Sequence, residues 1–217
     1  MKKKLINLFR VALIAMVSIV TGCKKPDTEA PVISLNGAAS LTISLQGTYT
    51  ELNATAADNK DGALTPTVSG TVNVNHTGTY TITYRAVDAA GNIGTAARTV
   101  IVVNDAASMA GTYKCTITGF PFYFDTITAS ADTNKRICFG KFGNYAGNTH
   151  IFVHVANTAL DSIVTLKNVL AIQVGNPPAD RTFYGTGSIS ATGFSLTYHE
   201  LKNATDSIRV ETFVKQQ

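Results

Sequence analysis

From Thr79 to Val87 the residues alternate without a break: Tyr80, Ile82, Tyr84 and Ala86 fall on one side, Thr79, Thr81, Thr83 and Arg85 on the other. A period of two sustained over that length places the two sets on opposite faces of an extended strand and does not fit the 3.6-residue period of a helix. Such a strand needs neighbours for its backbone and a second layer for its apolar face. The composition offers both. Thr, Ser, Gly, Asn and Val are plentiful, long charged helix formers are sparse, and Trp is absent. These are the residues of pleated, turn-rich structure, so the expected fold class is all-β.

Short strands with turn punctuation run from Pro31 to Asn104. Val32-Ile33-Ser34-Leu35 and Leu41-Thr42-Ile43-Ser44-Leu45 are apolar runs followed by Asn36-Gly37 and Gln46-Gly47. Thr48 to Ala56 reads as a further mixed strand. Asp58-Asn59-Lys60-Asp61-Gly62 is a turn, because Asp and Asn bond their own backbone and Gly accepts positive φ. Ala89-Ala90-Gly91-Asn92 turns the chain again, and Ala97 to Val103 returns as a last strand. Strands at this spacing predict a β-sandwich over 31–104.

Within that segment Gly78-Thr79-Tyr80-Thr81-Ile82 resembles the tyrosine corner of immunoglobulin folds, with Ile82 where antibody domains carry their second cysteine. The wider series Asp58, Asp61-Gly62, Tyr80-x-Ile82-x-Tyr84, Asp88-x-x-Gly91-Asn92 and Arg98-x-Val100 is similar to the bacterial Ig-like domains related to HYR modules. That resemblance implies a spacer or adhesion module of secreted and surface proteins, and no enzyme.

Asp105 to Met109 is a small-residue linker, and a second β-rich unit is expected over 108–217. Candidate strands are 111–118, 122–129, 135–142, 149–156, 161–166, 168–174, 181–189, 193–200 and 206–215, and Pro177-Pro178 excludes helix and interior strand at that point. So many strands leave edges to hide, which predicts an antiparallel meander or β-barrel-like closure. Gly111-Thr112-Tyr113-Lys114 and the strand count look like the carboxyl-terminal β domain of surface lipoproteins that accompany SusC/SusD-type outer-membrane importers.

The amino terminus decides where such a chain goes. Lys2, Lys3, Lys4 and Arg10 precede the apolar run Val11 to Val20, which is about half the ~20 residues a membrane-spanning helix needs. Val20-Thr21-Gly22-Cys23 resembles the bacterial lipobox. The resemblance implies a signal peptide over 1–22, a covalent lipid on Cys23, a tether over 23–30, and anchoring in the outer membrane. Acyl chains contribute roughly 0.8 kcal/mol per buried CH₂, so several hold firmly. In the Bacteroidetes-type surface lipoproteins an acidic cluster follows the cysteine; here Asp27 and Glu29 are the two acids, and a cell-surface-facing position is expected. Once Lys2, Lys3, Lys4 and Arg10 leave, 14 of the 18 basic residues face 14 acidic ones. This balance provides no basic face for nucleic acid.

No nucleophile elbow, phosphate loop, HExxH, CxxC or glycine-rich dinucleotide turn is present, and the chain reads as a non-enzyme. A hydrolase would require carboxylates such as Glu200 and Glu211 to meet across strands. Cys115 alternates with Tyr113 and Ile117, so Cys115 and Cys138 read as buried free thiols, with a disulfide as the alternative. His150 and His154 share a strand face but lie about 13 Å apart at ~3.3 Å per residue, too far to hold one metal between them. Asp58, Asp61, Asp88 and Asn92 offer hard oxygen ligands of the kind Ca²⁺ takes. Ordinary turn chemistry is the expected role for them, and calcium the alternative. Phe122, Tyr123 and Phe124 are the candidate ligand-contacting aromatics, against a core-packing role that alternation assigns to about half of any strand.

The reading that gathers these features is a lipid-anchored cell-surface binding or accessory protein that assists nutrient capture, peptide or glycan, by an outer-membrane importer. The alternative is a structural or adhesive surface lipoprotein unrelated to uptake.

Overall fold

Strand β6 (Gly78–Val87) is the spine of the amino-terminal unit, with Ile82, Tyr84 and Ala86 buried and Thr79, Thr81 and Arg85 exposed. In the computed structural model, residues 25–145, 151–156, 163–174 and 179–217 are described, with the side chains of 163–174 and 179–180 left aside. β6 pairs antiparallel along its whole length with β7 (Ile93–Val103). A short antiparallel strand β5 (Thr67–Ser69) lies on its other side, and β2 (Ser40–Ser44) joins β7 in parallel. A second sheet holds β1 (Val32–Leu35), β3 (Ala54–Asp58) and β4 (Gly62–Leu64), all antiparallel. Leu45, Ala56, Ile82, Tyr84, Val100 and Val102 are buried between the layers, so the expected sandwich forms.

The anticipated corner bond is made: Tyr80 Oη donates to the carbonyl of His76 at 2.8 Å. The turn at Gly62 carries φ +74°, which only glycine adopts without strain. Two boundaries differ from expectation. β7 starts at Ile93 rather than Ala97. Residues 48–53 are not strand; Asn53 there has φ +61°, and Glu51 turns inward to meet Arg98. An inward carboxylate with a buried partner outweighs the weak β propensity of the segment.

The carboxyl-terminal unit is an eight-stranded, up-and-down barrel. It runs β8 (Gly111–Ile117), β9 (Tyr123–Ala129), β10 (Arg136–Cys138), β11 (Phe152–Val155), β12 (Ile163–Val174), β13 (Ala179–Ser190), β14 (Gly193–Lys202) and β15 (Thr205–Lys215). β15 returns to pair with β8, and β9 pairs with β10 to complete the ring among the described residues. The ring is thinnest around β10, held to β9 through two residue pairs and to β11 through three.

Eight strands form where nine segments are apolar enough to qualify. The segments 161–166 and 168–174 share one strand, β12, whose register against β13 shifts between Leu166 and Val169 and again between Val169 and Ile172. Bulges of this kind bend a strand and can look like a break in the pattern. The segment 135–142 ends as strand at Cys138, and Phe142–Asn144 forms a 3₁₀ turn instead. That turn drops Phe142, fully buried, against Phe139, Phe183 and Tyr198. Phe194 and Phe213 stack with centroids 4.4 Å apart. An eight-stranded barrel is just wide enough for its own side chains, and here aromatic rings occupy the interior. Cys115 and Cys138 are free thiols, Cys115 buried and Cys138 half-buried.

The two units meet through hydrogen bonds. Asn104 Nδ2 donates to the carbonyls of Ser130 and Thr133 at 2.8 and 3.0 Å, and its Oδ1 accepts from Ala106 and Lys135. Thr77 N donates to Ala131 O, and Asn134 N donates to Gln46 Oε1. The β9–β10 connection of the barrel is thereby fastened to the end of the sandwich.

Candidate functional site

Alternation in β14 turns Phe194, Leu196, Tyr198 and Glu200 inward. Glu200 stands at the mouth of the barrel, 4% exposed. Its Oε1 accepts from Tyr145 Oη at 2.6 Å and from Arg181 Nη1, and its Oε2 accepts from Arg209 Nε at 3.2 Å. Burial opposes the carboxylate charge, but the hydrogen bonds of Tyr145 and Arg181 and the guanidinium charges outweigh it and hold its pKa below the ordinary value. Arg181 lies over the Tyr145 ring at 4.6 Å and Arg209 over Phe120 at 4.8 Å. A cavity of about 230 Å³ opens beside this cluster, lined by Tyr198, Glu200, Tyr145, Arg209, Phe120 and Pro121 among others. Ring faces beside fixed donors and acceptors suit one sugar ring or one side chain, since pockets for larger molecules start at about 300 Å³.

Below the mouth lies a second buried acid. Glu211 is fully enclosed and accepts from Tyr123 Oη and, at 3.2 Å, from Tyr198 Oη. Burial lifts its pKa to about 7, the nearby Asp125 charge pushes the same way, and the two tyrosine hydroxyls pull only part of the rise back. Glu200 and Glu211 are thus close in the fold, each hydrogen-bonded to a tyrosine that lines the cavity, but Glu211 does not line it. A general acid has to reach the bond it protonates, and this one is covered by Tyr198.

The candidate aromatics divide. Tyr123 is buried and serves Glu211, while Phe122 and Phe124 are 55% and 49% exposed on the outer wall, edge to face at 5.8 Å. Lys114 Nζ sits 4.3 Å over the Phe122 ring. The pair is available to a partner without entering the barrel. Nothing in the 120–124 segment itself separates the two roles; the strand register does. Tyr145 is legible as one of the later aromatics that follow the 120–124 cluster, while Arg181 and Arg209 carry no sequence signal, because they converge on it only when the ring closes.

The acids of the Ig-like unit also sort themselves. Asp58 Oδ1 accepts from the amides of Lys60 and Asp61 at 2.8 and 2.9 Å, and these bonds hold its pKa low. Asp88 Oδ1 accepts from Asn92 N at 2.7 Å. Asp61 accepts from Ala89 N and so ties one turn to another. Asn92 directs its Nδ2, a donor, at Asp88 Oδ2 and at the carbonyl of Asp27. The structure brings Asp58 and Asp88 together and adds Asp27 from the tether: one carboxylate oxygen of each lies within 4.8 Å of the others. His154 is exposed on β11, and Cys23 and His150 lie outside the described residues.

Comparison with known proteins fits this architecture at its amino-terminal end. Residues 33–102 match the family described as bacterial surface protein, Ig-like domain. The chain therefore carries an Ig-like domain of the kind borne by bacterial surface proteins. Among solved structures, a lipoprotein of Bacteroides thetaiotaomicron is similar at a TM-score of 0.34 and 19% identity, over 86% of this chain and all of that one. A structure from Clostridium perfringens ZmpB, of a carbohydrate-binding module with GlcNAc and of INT domains, is similar at a TM-score of 0.28 and 14% identity; the match covers 85% of this chain and 43% of that one. No curated protein matches the chain.

Proposed function

We propose that this protein is a lipid-anchored binding or accessory protein of the outer membrane, facing outward, in which the Ig-like unit holds the barrel away from the membrane. The observation that carries this reading is positional. A surface-type Ig-like domain at 33–102 stands directly between the lipobox cysteine Cys23 and the barrel. The anchor fixes one end, the sandwich gives length, and the hydrogen-bonded junction makes the barrel follow the sandwich. The barrel then contributes two contact surfaces, the small polar-aromatic mouth at Tyr145, Glu200 and Arg209 and the outer wall at Phe122 and Phe124. A mouth that takes one ring or one side chain suits a peptide or glycan held by its end. Nutrient capture beside a SusC/SusD-type importer is the role we assign to it.

A filled barrel interior also favours a second reading, adhesion through the outer wall, because Phe122 and Phe124 offer apolar contact without a cavity. Purification of the intact lipoprotein from outer membranes separates the two. Co-purification of an importer pair, lost on Arg209→Ala or Tyr145→Ala, supports uptake. Recovery without importer components, with retention on host glycans or proteins lost on Phe122→Ala and Phe124→Ala, replaces it with adhesion. Radiolabelled fatty acid should enter the wild type and not Cys23→Ser.

A further inference from the structure

Asp27, Asp58 and Asp88 come from three separate parts of the chain: the tether, the end of β3 and the end of β6. Three carboxylates within 4.8 Å repel one another unless a cation lies among them. Lys60 is the cation at hand, 3.3 Å from Asp27 Oδ1, with its side chain 45% exposed. It balances one of the three charges.

An independent observation points inward. Asp58 is 9% exposed, and its Oδ1 is taken by two turn amides. Its Oδ2 is buried and has no hydrogen-bond partner. A buried carboxylate oxygen left without a donor is costly. Oδ2 is the oxygen Asp58 has to offer, and it belongs to a residue whose carboxylate is shared with Asp27 and Asp88.

We infer that Asp27, Asp58 and Asp88 form a calcium site that clamps the membrane tether to the Ig-like unit. The ligand set selects the ion. Three carboxylate oxygens within 4.8 Å of one another, drawn from three parts of the chain, make a hard, anionic and irregular ligand set of the kind Ca²⁺ accepts, whereas Mg²⁺ demands near-ideal octahedral geometry. Asp27 is four residues beyond Cys23, so the ion fastens the sandwich close to the anchor. The site stands on these three residues alone; its effect on reach draws on the anchored reading. Asp61 and Asn92 support the turns around it rather than ligating.

The test uses the intact lipoprotein in detergent with calcium, magnesium or chelator. Extracellular calcium modules have dissociation constants of ~10⁻⁴–10⁻³ M, so about 10 mM calcium should raise the melting midpoint of the Ig-like unit by about 5 °C or more. Amide exchange of Thr28 to Ala30 should slow in parallel. Asp58→Asn keeps the Oδ1 acceptor for the turn and should abolish the shift. Asp27→Asn lies outside both sheets, leaves folding intact, and should abolish the slowing at the tether. Equal midpoints in calcium and chelator overturn the site, as does a shift retained in both variants. Magnesium acting as strongly as calcium overturns the choice of ion.

Discussion

Arg98 Nη1 donates to Glu51 Oε1 at 2.9 Å, and the arginine is fully buried. Its Nη2 donates to the carbonyl of Asn36 at 2.6 Å and its Nε to that of Ala38 at 3.1 Å, so one guanidinium on β7 ties down the connection between β1 and β2. Glu51 in turn accepts from Tyr49, Tyr84 and the Asn53 amide.

Removing one partner of a buried, hydrogen-bonded ion pair strands the other, which costs about 3–5 kcal/mol. Arg98→Ala should therefore remove a large share of the stability of the Ig-like unit, read as the urea midpoint of its transition. Burial raises the pKa of Glu51, but hydrogen bonds from Tyr49 and Tyr84 and the charge of Arg98 bring it below its ordinary value. A depressed carboxylate contributes stability that is present above its unfolded pKa and is lost as pH falls through the folded one. Wild type should lose midpoint on acidification below pH ~4.5, and Arg98→Ala should lose less.

The corner hydroxyl gives a smaller effect. Tyr80→Phe deletes the 2.8 Å bond to His76 O while keeping the ring. A net loss of about 1 kcal/mol is expected, the worth of one ordinary hydrogen bond. An unchanged midpoint would mean that water replaces the hydroxyl at no cost.

How far the sequence reached can be seen at single residues. Tyr80, Ile82 and Tyr84 were legible because alternation and the corner motif are local, and both depend on residues within a few positions of each other. Arg98 was legible as part of a motif, but its partner Glu51 sits 47 positions away in a segment whose propensity reads as strand. The barrel followed the same rule. Its strands could be counted to within one, while the merging of two segments into β12 depends on register against β13, which no local pattern carries. At the mouth, Tyr145, Arg181 and Glu200 come from three elements and meet only through closure. Asp27 looked like a sorting signal in the tether; folding makes it the neighbour of Asp58 and Asp88.

Glu211 makes the barrel sensitive to pH in the opposite sense to Glu51. Its folded pKa is raised to about 7. Below its unfolded value of ~4.5 both states are protonated and no penalty arises. Between there and pH 7 the unfolded chain ionises while the folded one keeps its proton, so stability falls as pH rises, by about 3 kcal/mol in all. Glu211→Gln keeps an acceptor and a donor for Tyr123 and Tyr198 and cannot ionise. It should raise the denaturation midpoint of the barrel at pH 8 and leave it nearly unchanged at pH 4. A variant destabilised equally at both values would show that Glu211 contributes through shape alone.

The junction decides whether the sandwich transmits position to the barrel or only tethers it. Asn104 is 3% exposed, and its one amide serves carbonyls at 130, 133 and 136 and amides at 106 and 135. Neither alanine nor aspartate can do this: alanine leaves the groups unmet, and a carboxylate would face carbonyl oxygens. Each buried group left without a partner costs roughly 1–3 kcal/mol. Asn104→Ala should therefore lower the stability of the barrel's 130–136 connection and widen the distance distribution between spin labels placed at the exposed Thr67 and Thr197. The bonds from Thr77 to Ala131 and from Asn134 to Gln46 remain, so the units should stay associated rather than separate. A narrow, unshifted distribution in Asn104→Ala would assign the fixed orientation to those outer bonds. A broad distribution already present in the wild type would mean that the barrel moves freely on its stalk, and would remove rigid reach from the account of what this protein does.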